Sequence, residues 1–178
     1  QCFKRSTIMS NTINFNEKTG FICDMDGVIY HGNKILPGVK EFIDWLFKNK
    51  KRFLFLTNNS GLTPFELRQK LSRMGLDVAE EHFYTSALAT AEFLKSQAPG
   101  CSVYALGEAA LTNALYNVGI FMNDVNPDYV VIGEAKSYNI DTLTKAVNLV
   151  MNGAKLIGAN SDLSGPIENG IAPACRAL

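Results

Sequence analysis

Two aspartates separated by a single residue, Asp24 and Asp26, offer the most specific chemistry in this sequence. They stand in the run Phe21-Ile22-Cys23-Asp24-Met25-Asp26-Gly27-Val28-Ile29. The apolar residues before Asp24 predict a buried strand over 19–23 that runs out at the first carboxylate. Side chains two apart on an extended backbone point to the same side, so both carboxylates aim into one pocket while Met25 faces away. Two like charges that close resist joint ionisation. Either a cation joins them or one keeps its proton, and both states are useful. A hard cation such as Mg2+ takes carboxylate and carbonyl oxygens, and a protonated Asp26 can deliver its proton to a leaving group. Gly27 lets the backbone turn sharply and approach a ligand. Asp-Gly alone reads as a turn. Asp-x-Asp-Gly directly after a buried strand reads as a site.

A second constellation is Thr57-Asn58-Asn59-Ser60, where an apolar run at 53–56 ends. Hydroxyl and amide donors at a strand end can bind phosphoryl oxygens, and a helix start nearby adds backbone N–H groups and a positive dipole end. Taken alone, an Asn-rich connection is the plainer reading. Beside the aspartate pair, the functional reading is preferred.

Both constellations depend on alternating strands and helices. Residues 53–56 form an uninterrupted apolar run, which predicts a strand covered on both faces. Val39, Phe42, Ile43, Leu46 and Phe47 follow the spacing of an amphipathic helix. Thr63, Pro64 and Glu66 form a capping-box signature, followed by the stripe Leu67, Leu71, Met74 and the stop Gly75. Strands are predicted at 83–85, 103–106, 129–132 and 155–158, with helices at 87–97, 108–118 and 140–152 between them. That order argues an α/β fold with mainly parallel sheets, whose ligand sites lie at the carboxyl ends of strands.

The chain has 178 residues, 47% apolar and 19% charged, enough to bury a core. Lys+Arg and Asp+Glu are both 17, so no bulk positive field exists to hold nucleic acid. No apolar run approaches the ~20 residues that span a bilayer, and no membrane partner is expected. Four cysteines, at 2, 23, 101 and 175, form no CxxC pair, which favours a reduced, cytoplasmic setting. His82, just before a predicted strand, reads as a surface residue.

The strings DMDGVIYHGNKILPG and FLFLTNNSGLTP resemble the haloacid dehalogenase (HAD) superfamily of phosphatases, and more narrowly its NagD-type, p-nitrophenylphosphatase-like subfamily. YTSALATAEFL, NPDYVVIGE, LIGANSD and IAPACRAL resemble that subfamily's cap, so the likeness runs from about residue 20 to 178. It implies a Rossmann-like parallel core, incomplete here, with an inserted α/β cap of C2 type. An extension would cover 1–18, the first part of the core 19–85, and the cap 86–178. Asp24 would be the nucleophile that becomes a phosphoaspartate, and Asp26 the general acid/base. Asp24 and Asp26, the latter through its carbonyl, would ligate Mg2+. Thr57, Asn58 and Asn59 would bind the phosphoryl group beside Gly27, with 27–32 as a mobile flap. Asn160 and Asp162 would form the cap's substrate-facing turn, although a plain Asn/Asp turn explains them equally well.

The resemblance also implies two motifs that this sequence lacks, a charge-shielding Lys and an acidic pair of GDxxxxD type, both placed after the cap. The expectation is therefore the amino-terminal part of a Mg2+-dependent phosphatase of small phosphomonoesters, such as nucleoside monophosphates or sugar phosphates. As written the chain is expected to be inactive and aggregation-prone, with its first strand an uncovered edge. Residues 1–8 are expected to precede a natural start at Met9. Caps of this kind sit at dimer interfaces, so a homodimer through the cap is a further expectation. Two alternatives stand beside the enzyme: a phospho-acceptor domain of receiver type, and a HAD-fold binding module without catalysis.

Overall fold

The computed structural model describes residues 14–167 and 170–178 of the chain. The reading of residues 1–8 lies outside the described residues.

The first sheet is built from β1 (Gly20–Asp24), β4 (Arg52–Thr57) and β5 (Phe83–Thr85), all parallel and in the order β1-β4-β5. Between β1 and β4 the chain makes a small antiparallel hairpin, β2 (Tyr30–His31) with β3 (Lys34–Ile35), and then α1 (Val39–Lys48). Helix α2 (Pro64–Arg73) links β4 to β5. The apolar stripe of α1 buries Val39, Ile43 and Leu46, and α2 buries Leu67 and Leu71. These side chains join Phe53, Phe55 and Phe83 of the sheet in one core that also holds Met25, Ile29 and Tyr30.

Helix α2 starts where its residues predict. The Thr63 side chain accepts from the Glu66 N–H at 3.2 Å, and the Glu66 carboxylate accepts from the Thr63 N–H at 2.7 Å. Gly75, at φ +87°, follows its end. This cap fixes how the segment 57–62 leaves the sheet.

Burial of the strands differs from the expectation. Residues 19–23 read as a buried strand and 53–56 as one covered on both faces, yet Ile22 is 74% exposed and Leu56 43% exposed. Alternation sends Phe21, Cys23, Phe53 and Phe55 into the core and leaves Ile22 and Leu56 on the opposite face, which none of the buried clusters reaches. β1 is an edge of the described sheet, as expected.

The chain passes to a second sheet through α3 (Ser86–Gln97), which Thr85 N-caps. This sheet comprises β6 (Ser102–Leu106), β7 (Phe121–Met122), β8 (Tyr129–Ile132) and β9 (Lys155–Gly158), in the order β7-β6-β8-β9 and entirely parallel. Helix α4 (Ala109–Asn117) joins α3 on one face, and α5 (Ile140–Met151) covers the other. Val130 and Val131 of β8 are each 0% exposed because both faces are covered. A hairpin of β10 (Ser164–Ile167) and β11 (Gly170–Pro173) follows, and a short 3-10 turn at Cys175–Ala177 comes after it. The hairpins and β7 went unpredicted: β2, β3 and β7 are two residues each, and β10 and β11 each carry a glycine and a proline, which read as breaks rather than strand.

His82 is also placed differently. Its ring stacks on Phe53 with centroids 3.9 Å apart, and its Nδ1 lies 3.0 Å from the Phe53 carbonyl. Its neighbour in space, 29 positions away, could not be read locally. Cys23, Cys101 and Cys175 are unpaired among the described residues, and no described helix is long and apolar enough to cross a membrane.

Replacing Thr63 by Ala removes the hydroxyl half of the capping box, leaving the Glu66 N–H without its acceptor, and is expected to cost about 1 kcal/mol of stability. Urea unfolding of the variant beside the parent protein measures it.

Candidate active site

The site begins with the turn after β1. Met25 is fully buried while Asp24 and Asp26 on either side are exposed, as the alternation of side chains predicts. The Met25 carbonyl accepts from the N–H groups of Val28, Ile29 and Tyr30 at 3.2, 2.9 and 3.3 Å. Gly27, at φ +80°, lets the chain reverse and donates its N–H to the Tyr30 carbonyl at 2.8 Å. One oxygen of Asp24, Oδ1, accepts from the Met25 N–H at 2.8 Å. The expected flap is therefore anchored at its base: Ile29 and Tyr30 are each 2% exposed, and Val28 and His31 face outward.

Tyr30 and Lys70 stand behind the aspartates. Burial first, then the neighbouring Asp26 carboxylate, push the Tyr30 phenol far above its ordinary pKa. The Lys70 ammonium, from α2, lies 3.8 Å from the centre of the Tyr30 ring. Burial lowers its pKa while Asp26 holds it up. Sequence reasoning missed Lys70, although a cation three residues after Leu67 and four before Met74 sits within an inward stripe.

The segment after β4 divides its labour. In register Asp24 lies beside Leu56, so Thr57 stands one residue beyond it at the carboxyl edge of the sheet. Thr57 is 3% exposed, and its Oγ1 accepts from the Asn59 N–H at 3.1 Å. The Asn59 side chain accepts from the Gly61 N–H at 2.7 Å, a local turn. The Asn58 side chain instead reaches the second sheet, donating to the Asp162 carboxylate.

That contact belongs to a polar seam between the sheets. The Asn58 carbonyl accepts from the Ser86 hydroxyl at 2.7 Å and from Asn160 Nδ2 at 3.1 Å. Asn160 Nδ2 also donates to Glu134 Oε1 at 2.7 Å, and Asn160 Oδ1 accepts from the Asp162 N–H at 3.0 Å. Ser60, with no exposed surface, accepts the Glu134 N–H at 2.7 Å. A Cβ on Gly133 would lie 2.8 Å from that hydroxyl, so the approach requires glycine. The structure thus brings Asn160 and Asp162 to Asn58.

In the sequence Gly133-Glu134 has neither the spacing nor the following residues of a GDxxxxD pair, so no motif marks Glu134. Its position directly after Gly133 and β8, at a carboxyl strand end, was the usable signal. Burial raises its pKa first; the Asn160 hydrogen bond opposes that, and the charges of Asp26 and Asp162 add to the rise. It borders a cavity of 610 Å3 with Asn59, Glu108 and Tyr138.

Chemically, the arrangement offers a nucleophilic carboxylate, a second carboxylate able to move a proton, and hydroxyl and amide groups at one strand edge. Asp24 and Asp26 suit a hard cation in charge and donor type. Among the described residues no group of three or more His, Cys, Asp or Glu is placed to hold a metal.

A family model for haloacid dehalogenase-like hydrolases matches residues 21–121, more than half of the chain. The chain is 43% identical over 158 residues to a dihydroxyacetone phosphatase of Corynebacterium glutamicum, covering 89% of this chain and 58% of that protein. The structure of NagD from Escherichia coli K-12 matches at TM-score 0.81 and 42% identity, over 89% of this chain and 62% of that one. A glycerol phosphate phosphatase of Mycobacterium tuberculosis, solved in complex with magnesium, gives TM-score 0.81 at 29% identity, over 89% and 49% of the two chains. The chain therefore spans less than two thirds of the length of these relatives.

Because the folded pKa of Glu134 is raised, its contribution to stability is complete below the ordinary carboxylate pKa and is lost as pH rises through the folded value. Glu134→Gln, which keeps an acceptor for Asn160, is expected to stabilise the protein at neutral pH. The advantage should shrink as pH falls toward about 4. Thermal melts of both proteins across that range check the sign.

Proposed function

The chain belongs to the haloacid dehalogenase-like hydrolases, and on that premise we propose that its full-length protein is a phosphatase of small phosphorylated metabolites. One observation carries the reading: two carboxylates flank buried Met25 at the end of β1, with Thr57 at the adjoining end of β4. The names of the relatives, a dihydroxyacetone phosphatase and a ribonucleotide monophosphatase, support this class of substrate. A receiver-type domain does not fit the family.

In the reaction we propose, Asp24 attacks phosphorus with the oxygen that Met25 does not hold. The bond from phosphorus to the leaving alcohol breaks, and Asp26 gives that alcohol its proton. Asp26 then takes a proton from water, which attacks the phosphoaspartate, releases phosphate and restores Asp24. Thr57 and the amides of the 57–59 segment position the phosphoryl oxygens. The Asp24 carboxylate and the Asp26 carbonyl would hold Mg2+, which neutralises charge on the phosphoryl group when bound. A relative solved in complex with magnesium supports that choice of metal.

We assign 19–85 to the core and 86–178 to the cap, with Asn160 and Asp162 at the substrate-facing turn. With no group of three or more His, Cys, Asp or Glu placed to hold a metal among the described residues, the 178-residue chain by itself is proposed to be inactive.

In the full-length protein, Asp24→Asn is expected to abolish Mg2+-dependent hydrolysis of p-nitrophenyl phosphate, and Asp26→Asn to lower kcat by roughly 10^2–10^4-fold. A chelator should stop turnover and added Mg2+ restore it. Undiminished activity in Asp24→Asn sinks the assignment, and an inactive full-length parent supports a binding module instead.

A further inference from the structure

Resting on the phosphatase reading, we infer that Glu134 and Asp162 impose a charge rule on the leaving group: it is an uncharged or cationic alcohol, not one bearing a second anion. The main chain of Glu134 is held against the 57–60 segment, since its N–H donates to fully buried Ser60. Its Oε1 is engaged by Asn160. Its Oε2 has no hydrogen bond from the described residues, yet is not a sealed, unsatisfied atom. That oxygen is open to a ligand. Asp162 is a second fixed negative charge, tied through Oδ2 to the Asn58 side chain. Asn58 adjoins Thr57, so both carboxylates of the second sheet stand beside the proposed phosphoryl pocket, on the side where the cap meets it.

Among the described residues one cation, Lys136, lines the same cavity as the side-chain carboxylates of Glu134 and Glu108, and it balances only one of the two. The ion pairs of the described residues join Arg68 to Glu80, Lys95 to Glu92 and Lys145 to Asp124, none at the seam. Glu108 adds a further carboxylate on the same cavity, accepting from the Lys136 N–H. The Lys136 side chain is exposed and acts on Glu66. Lys70 lies over Tyr30, on the Asp26 side. The rise in the Glu134 pKa, partly due to Asp26 and Asp162, agrees with carboxylates in mutual reach.

A carboxylate oxygen accepts from a hydroxyl or an ammonium and repels another carboxylate or phosphate. At separations of several ångströms in a partly screened cleft, a unit of like charge costs about ten- to a hundredfold in rate.

The test uses the full-length protein with Mg2+ and three phosphomonoesters of equal chain length. These are 2-hydroxyethyl phosphate, phosphoethanolamine and phosphoglycolate, with p-nitrophenyl phosphate as a reference. The expected kcat/KM for phosphoglycolate is at least about tenfold below the other two. Glu134→Gln, which preserves the Asn160 contact, should narrow that gap by about tenfold, chiefly through KM. Asp162→Asn reads the same gap independently should the first variant fail to fold. Active enzyme that hydrolyses all three equally, or a gap unmoved in a folded variant, overturns the charge rule and leaves the phosphatase reading standing. No turnover of any ester, including the reference, overturns that reading and the rule with it.

Discussion

The repulsion between Asp24 and Asp26 is the constraint around which the rest is arranged. Alternation about fully buried Met25 gives both carboxylates the same outward side. Left in water they would drift apart. Here the turn is closed by three N–H groups on the Met25 carbonyl and by the left-handed Gly27, so the pair is held. Two carboxylates so fixed aim their oxygens into one space, a donor set that suits a shared cation. The proposed reaction uses both groups.

The surroundings supply only part of the compensation. Tyr30 is buried behind Asp26, and Lys70 reaches the face of that ring rather than the carboxylates. The second sheet adds negative charge, because Glu134 and Asp162 meet the first sheet through hydrogen bonds to Ser60 and Asn58. The junction is a polar seam, in which Asn58 and Ser60 beyond β4 meet Asn160, Asp162 and Glu134 of the second sheet's strand-end loops. Directional bonds of this kind fix position, where an apolar joint would fix only proximity. Under the proposed charge rule, leaving-group choice and the placement of Asn58 are thereby coupled.

Much of the fold was legible because long elements announce their period. The capping box at Thr63 and Glu66, the stripe of α1 and the strand at Tyr129–Ile132 were all readable locally. What failed were statements about neighbours. Ile22 and Leu56 have strand-like sequence, but sequence does not say what covers a face, and both are exposed. His82 looked like a surface residue until Phe53 was beside it. In the site, Asp24 and Asp26 were legible because a spacing of two fixes direction. The different work of Asn58 and Asn59 was not. Asn59 closes its own turn, whereas the partner of Asn58 is 104 positions away. Glu134 matches no motif, and only its place just after a parallel strand marks it.

The claim at the centre is that Asp24 itself takes the phosphoryl group. The direct measurement is a rapid acid quench of the full-length protein during Mg2+-dependent turnover. Borohydride then reduces any acyl phosphate, and peptide mass spectrometry locates the reduced residue. Reduction of Asp24 to homoserine, dependent on substrate and absent in Asp24→Asn, is the result expected. Turnover with Asp24 unmodified, or with the label on a different residue, would contradict it.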